Sequence, residues 1–234
     1  MEKFSLMCPW PSSDDSSNKH FLVPSMLQTL PPKQIRNLVD SAQIPSLFLK
    51  FDTGRVPPGL FPRFVLEFLQ WCRKEFPGVD MPKTFHNFAR FSIFPKQGLS
   101  VVLLCHSSTI EVIVLSVKSA TGLVDLASIR AFRNQLTSII DRVWQKFFWV
   151  KNVGCEVSFL CPVCSHGRVV SFCTQHHEEN CEQEECLHFI SESDLGDEMQ
   201  TVCTNYVTAV DNRIQAGQFA PWISSGEEKV RKDV

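Results

Sequence analysis

The stretch LSVVLLCHSSTIEVIVLSV, residues 99–117, contains two apolar runs rich in Val, Ile and Leu, separated by Ser107 and Ser108. Each run has strand length, and the short Ser-rich link between them specifies an antiparallel hairpin. A further strand pattern, HNFARFSIF at 86–94, precedes the hairpin. Upstream of that, SLFLKFDTG at 46–54 alternates Leu47, Leu49 and Phe51 with Phe48 and Lys50 and runs into a turn at Gly54.

Helical periods surround these strands. PPKQIRNLVDSAQ, 31–43, places Pro32 near a helix start, with Ile35, Leu38 and Val39 on one face. VPPGLFPRFVLEFLQWCRKEF, 56–76, carries a wide stripe of Phe61, Phe64, Val65, Phe68, Leu69 and Cys72, and is closed by Pro77 and Gly78. The longest pattern, 125–148, takes Asp125 as N-cap and aligns Leu126, Ile129, Phe132, Leu136, Ile139, Ile140 and Val143. Beyond Gly154, CEVSFL and RVVSFC read as strands. MEKFSLMCPW reads as the end of a helix, 11–20 as a polar connector, and FLVPSML as a short edge strand marked by Pro24. The sequence therefore predicts an α+β fold: a mostly antiparallel sheet with two to three packed helices and a Cys/His-rich loop region.

The chain has 234 residues, 44% hydrophobic and 21% charged, with a net charge of −2. That is enough apolar material for a sizeable core, and it provides no basic field for a phosphate backbone, so nucleic acid is not an expected partner. The sequence has no secretory leader pattern and no run of membrane-spanning length, and a cytoplasmic location is expected. A nucleotide-binding glycine loop, a zinc-protease helix, a nucleophile elbow and a kinase catalytic loop are all missing. His176 and His177 are adjacent rather than one helical turn apart, which excludes a zinc-protease geometry. With no catalytic motif in place, a non-enzyme is expected.

The chain's ten cysteines have to be read in a reducing compartment, where clustered cysteine points to metal or redox chemistry rather than disulfides. Cys8, Cys72, Cys105, Cys155 and Cys203 are scattered and read as small apolar filler. The other five fall in CPVCSHGRVVSFCTQHHEENCEQEECLHF, 161–189. Cys161 and Cys164 have the C-x2-C spacing that lets two thiolates reach one tetrahedral ion. Cys173 with His176, Cys181 with Cys186, or Cys186 with His188 would complete it. Structural zinc, a metal-free Cys/His loop and redox use remain open readings of this stretch. The Glu-rich run around His176 and His177, with Glu178, Glu179, Glu182 and Glu184, reads as a partner-facing or pH-sensitive patch, or as a solvated loop.

Taken in order, FLVPSML with Pro24, then LFLKFDTGRVPPGLFPRFVLEFLQ with Pro57, Pro58, Gly59, Leu60, Phe61 and Arg63, then the CPVC pair resemble the C-terminal lobe of the COR domain, which follows the Roc GTPase in Roco proteins. The opening residues resemble the closing helix of the preceding COR lobe. The resemblance implies a non-catalytic part of a larger protein that dimerises or binds a Roc GTPase domain and couples it to its neighbours in signalling. It carries no metal role. It divides the chain into a remnant and linker at 1–20, a lobe core at 21–154, a Cys/His-rich extension at 155–193, and a C-terminal segment and tail at 194–234. The alternatives are a zinc-stabilised binding module centred on Cys161 and Cys164, or a truncated remnant with no function of its own. No cofactor is expected apart from structural zinc.

Overall fold

The computed structural model describes residues 8–10, 20–23, 26–76, 82–93, 98–116, 126–146, 150, 152–166, 168–173, 175–195, 200–205 and 212–223. In chain order the elements are β1 (Cys8–Trp10), β2 (His20–Leu22), α1 (Pro32–Asp40), β3 (Leu47–Phe51), α2 (Leu60–Glu75), β4 (Lys83–Phe85), β5 (Phe88–Ile93), β6 (Leu99–Cys105) and β7 (Thr109–Ser116). They continue with α3 (Leu126–Lys146), β8 (Cys155–Leu160), β9 (Ser165–His166), β10 (Val169–Cys173), β11 (Glu178–Cys181), β12 (Phe189–Ser191), β13 (Gln200–Val202) and β14 (Arg213–Gln215). This is the expected α+β architecture. Its main sheet has seven strands in the order β12-β8-β3-β7-β6-β5-β4, and every neighbouring pair is antiparallel.

Over the described residues 99–116 the hairpin forms as read, with Leu99 opposite Ser116 and Cys105 opposite Ile110. Both of its faces are covered, so the runs show no polar alternation. Val101, Leu103, Ile110, Val112 and Val114 face the main core with α2 and α3, whereas Val102, Leu104, Ile113 and Leu115 face a smaller cluster under α1. Buried side chains such as Phe132 and Leu136 each contribute about 1.5–3 kcal/mol of transfer free energy. Leu126, read as the first residue of the α3 stripe, is instead 43% exposed at the helix start.

The Pro-Pro-Gly turn into α2 has a specific cause. Leu60 N donates to Pro57 O at 3.1 Å, and Gly59 sits at φ 75°, ψ 0°, the third position of a type II turn, with Pro58 at the second. Glycine is needed here for its positive φ. The helix then buries Leu60 and Phe61 in its first turn. Its one buried carboxylate, Glu67, is met by Lys146 of α3 at 2.5 Å and by Arg142 at 3.8 Å.

Two expectations need correction. Residues 8–10, read as part of a helix end, form β1 and pair with β2, Cys8 opposite Leu22. His86 and Asn87, read as strand, form the turn between β4 and β5. The segment beyond Asp194 looks weakly periodic because its apolar residues come singly, yet Leu195, Cys203, Ile214, Ala216, Phe219 and Trp222 all enter the main core. Trp222 Nε1 donates to Pro45 O at 2.6 Å, fastening this segment beside β3. The expectations at 1–7, 11–19, Pro24, Pro77, Gly78, Asp125 and 226–234 lie outside the described residues. Among the described residues no helix is long and apolar enough to cross a membrane.

Candidate metal centres

The pairing of β8 with β12 builds the first centre. Leu160 lies opposite Phe189, so the next residues outward, Cys161 and His188, meet at the sheet end, where Cys161 N donates to His188 O at 2.9 Å. The chain then turns, Ser165 N donating to Cys161 O at 2.9 Å, and Cys164 comes back to the same point. Cys203 arrives from the end of β13, held by its own N donating to Asn212 O at 2.8 Å. The ligand atoms of Cys161, Cys164, His188 and Cys203 all lie within 4.8 Å of one another. The three cysteines are buried and belong to the main core.

The second centre is built on the β10–β11 hairpin, where Cys173 pairs with Glu178 and Val170 with Cys181. Arg168 and His177 adopt left-handed backbone, at φ 68° and 53°, in the turns on either side of β10, and Asn180 does so at φ 57° within β11. Cys186 enters from a single 3-10 turn, Glu184–Cys186. Cys173, His176, Cys181 and Cys186 again bring four ligand atoms within 4.8 Å. His176 N donates to Cys173 Sγ at 3.4 Å.

Zinc–sulfur bonds of about 2.3 Å and zinc–nitrogen bonds of about 2.05 Å in a regular tetrahedron place sulfurs roughly 3.8 Å apart, and sulfur and nitrogen roughly 3.6 Å apart. In the first centre Cys164 Sγ is 3.2 Å from His188 Nδ1, and Cys203 Sγ is 3.6 Å from both. In the second, His176 Nδ1 lies 3.6, 3.5 and 3.4 Å from Cys173, Cys181 and Cys186, and Cys173 and Cys186 are 3.4 Å apart. These separations lie at, or up to about 0.4 Å inside, the edges of a tetrahedron around one ion, and three sulfurs with one imidazole are a closed structural zinc set. His188 Nε2 faces Thr204 Oγ1 at 3.4 Å, which leaves Nδ1 for the ion.

Thiol acidity also favours a cation. The Cys161 thiol is pulled down to about 4, first by a hydrogen bond from Cys164 and, against burial, by one from His188. Cys164 is pushed up by sharing that bond and by burial, and Cys203 is pushed up by burial. In the second centre the backbone N–H of His176 brings Cys173 down to about 7, whereas burial pushes Cys181 up and Cys186 to about 12. A bound divalent cation would stabilise the thiolate form of all three sulfurs in each centre. Cys72, Cys105 and Cys155, by contrast, are isolated thiols raised to about 12 chiefly by burial.

All seven ligands singled out in the sequence fall in these two centres, although not as completions of one CPVC site. Cys161 and Cys164 take His188 and Cys203; Cys173, His176, Cys181 and Cys186 close on themselves. The reading of Cys203 as filler does not account for its place in a ligand set. Seven candidates are one short of two closed sites, and that count was the signal in the sequence that one of the scattered cysteines had to be an eighth ligand. His177 is exposed beside the second centre. Glu182 and Glu184, from the Glu-rich run, have specific partners. Glu182 pairs with Arg36 at 2.6 Å, and Glu184 accepts from Ser107 N and Oγ at 3.0 and 2.7 Å and from Ser108 N and Oγ at 2.9 and 2.7 Å.

Next to the second centre's ribbon in the chain stands Arg168, which with His106 meets the fully buried Glu111 of β7, His106 at 2.8 Å. Burial pushes its carboxyl up, but the His106 hydrogen bond and the Arg168 charge outweigh that and hold it below the usual carboxylate range. Compared with known proteins, the chain matches no family model and no curated protein.

Proposed function

We propose that the protein is a non-catalytic interaction module stabilised by two structural zinc ions, one bound by Cys161, Cys164, His188 and Cys203 and the other by Cys173, His176, Cys181 and Cys186. The observation that carries this reading is the pair of four-atom ligand sets at tetrahedral spacing. A structural site is closed by four protein ligands, and a catalytic one keeps a position open for water. Each set here supplies four, so the role of the ions is to fix irregular chain that buries little apolar surface of its own. Metal analysis after exhaustive dialysis should find two zinc ions per chain, and X-ray absorption should give an average shell of three sulfurs and one nitrogen. A metal-free folded chain, or a shell containing water oxygen, would overturn the assignment.

A second reading places this module as the C-terminal COR lobe of a Roco protein. What supports it is the ordered motif set, with Pro57, Pro58 and Gly59 making the turn that starts α2 and Leu60 and Phe61 beginning its buried face. On this reading the chain dimerises or binds a Roc GTPase domain and relays its state without hydrolysing GTP itself. Trp144 of α3 stacks on Phe51 and donates from Nε1 to Val153 O at 3.1 Å, so it serves the core rather than a dimer surface. Light-scattering mass and titration with an isolated Roc domain test this reading. A monomer at high concentration that ignores the Roc domain counts against it.

A further inference from the structure

The second centre differs from the first in what depends on it. Its sulfurs belong to a small satellite cluster with Val170 and Leu187 rather than to the main core. His176 is exposed and Cys186 only half-buried. The chain around it reaches back to the body at two points close to the ligands. Glu184, two residues before Cys186, holds both serines of the β6–β7 hairpin tip through four hydrogen bonds. Glu182, next to Cys181, holds Arg36 of α1. Between these attachments lies a cavity of about 320 Å³, whose walls include Ile35 and Val39 of α1, His106, Val169 and Leu187.

Resting on the two-zinc reading above, we propose that the second centre is an oxidant-releasable clasp. Its zinc ion keeps residues 175–187 fastened across the hairpin tip and α1, and oxidation by a peroxide ejects that ion, frees the loop and uncovers the apolar wall of the cavity. The Cys186 thiolate, the more accessible sulfur, attacks one peroxide oxygen, breaking the O–O bond and giving a sulfenic acid and hydroxide. The Cys173 thiolate, 3.4 Å away, attacks that sulfur and expels a second hydroxide, forming a disulfide. Two electrons pass from sulfur to peroxide, two protons from solvent turn both hydroxides to water, and the ion loses two of its four ligands. The first centre keeps its ion because its three sulfurs are buried in the main core.

The test uses the full zinc-loaded chain and hydrogen peroxide at one to two equivalents. Zinc release is read with a chromogenic chelator, disulfides by peptide mapping, and the amides of Ser107 and Ser108 by hydrogen exchange. The expected result is release of half the zinc, a Cys173–Cys186 disulfide, faster exchange at both serines, and reversal by dithiothreitol with added zinc. Cys186→Ser should start with half the zinc and release none of the remainder. Parallel loss from both centres, retention of both ions at this dose, or a disulfide within the first centre would each overturn the clasp while leaving the two-zinc reading standing. A chain carrying fewer than two ions before peroxide is added removes that reading and the clasp with it.

Discussion

The two Cys/His centres offer one ion the same chemistry, three sulfurs and an imidazole Nδ1, but in opposite settings. The first is assembled from three separate chain segments, the Cys161–Cys164 pair that follows β8, His188 before β12 and Cys203 after β13, and its sulfurs are continuous with the main core. The second is assembled within fourteen residues around one hairpin, and it touches the body through carboxylates. Ligand identity sets what is bound, whereas sequence separation and burial set how much structure depends on it. Closing a long loop fixes more chain than closing a short one, so an ion at the first centre stabilises the global fold and one at the second stabilises a local loop.

The strongest way to break this comparison is to remove one ligand from each centre. Cys203→Ser should lower stability by more than about 4 kcal/mol, a size that calls for a specific disruption such as a lost metal ion, and β13 and β14 should lose their place beside the main core. Cys186→Ser should also cost one zinc ion, yet leave the main thermal transition nearly unmoved. Melting followed by circular dichroism, with zinc content on the same samples, reads both. Equal destabilisation by the two variants would erase the distinction.

A smaller effect tests whether the first centre is truly part of the core. Phe159 of β8, two residues before Cys161, is fully buried and stacks on Phe219 at 4.5 Å. Phe159→Ala should cost about 3–5 kcal/mol through the lost transfer energy and the cavity left behind. It should also weaken zinc retention at the first centre alone, measured by competition with a chelator. Retention weakened equally at both centres would mean that the second is also coupled to the core.

How far the sequence revealed this organisation follows from the same distinction. The hairpin, α2 and α3 were legible because their apolar residues recur at strand or helix period. Local ligands were legible too: Cys173, His176, Cys181 and Cys186 sit close together in the chain. Cys203 was not, because the pairing that brings it to Cys164 runs through β13 and β14, two strands of three residues with only Ile214 fully buried. The same is true of Trp222, which reaches the core as a single residue without a pattern. The strand at 8–10 was missed because three residues cannot establish a period. Where structure is specified by long-range closure rather than repetition, a single chain offers only the ligand count as a clue.

Fully buried Glu111 of β7 and half-buried Arg168, the residue before β10, form a pair that joins the second centre's ribbon to the sheet. Because Glu111 titrates below its ordinary value of 4.5, its contribution is complete above that pH and is lost as the pH falls through the lowered folded value. Glu111→Gln should leave Arg168 facing a neutral partner in a buried site, cost about 2–4 kcal/mol near neutrality, and flatten the acid side of the stability curve. Urea unfolding from pH 7 down to pH 3, variant against parent, reads the difference. A constant gap at every pH would show that the carboxylate's charge is not what stabilises the fold.

The smallest expected effects separate two carboxylates of the same loop. Glu184 is half-buried, and although burial pushes its carboxyl up, hydrogen bonds from the amides and hydroxyls of Ser107 and Ser108 hold it below the usual range. Glu184→Gln keeps the shape but replaces a charged acceptor of four hydrogen bonds with a neutral amide that offers one acceptor oxygen, so two serine donors lose their partner. The cost should be about 1–2 kcal/mol, felt as faster amide exchange at Ser107 and Ser108. Glu182 and Arg36 form a closer contact at 2.6 Å, but with side chains 58% and 65% exposed, water and salt screen the pair. Glu182→Gln should therefore change stability by no more than about 0.5 kcal/mol and leave the hairpin tip unaffected. If the two substitutions had equal effects, the loop would be held by general electrostatics, and Glu184 would lose its role as the attachment that links the second centre to the sheet.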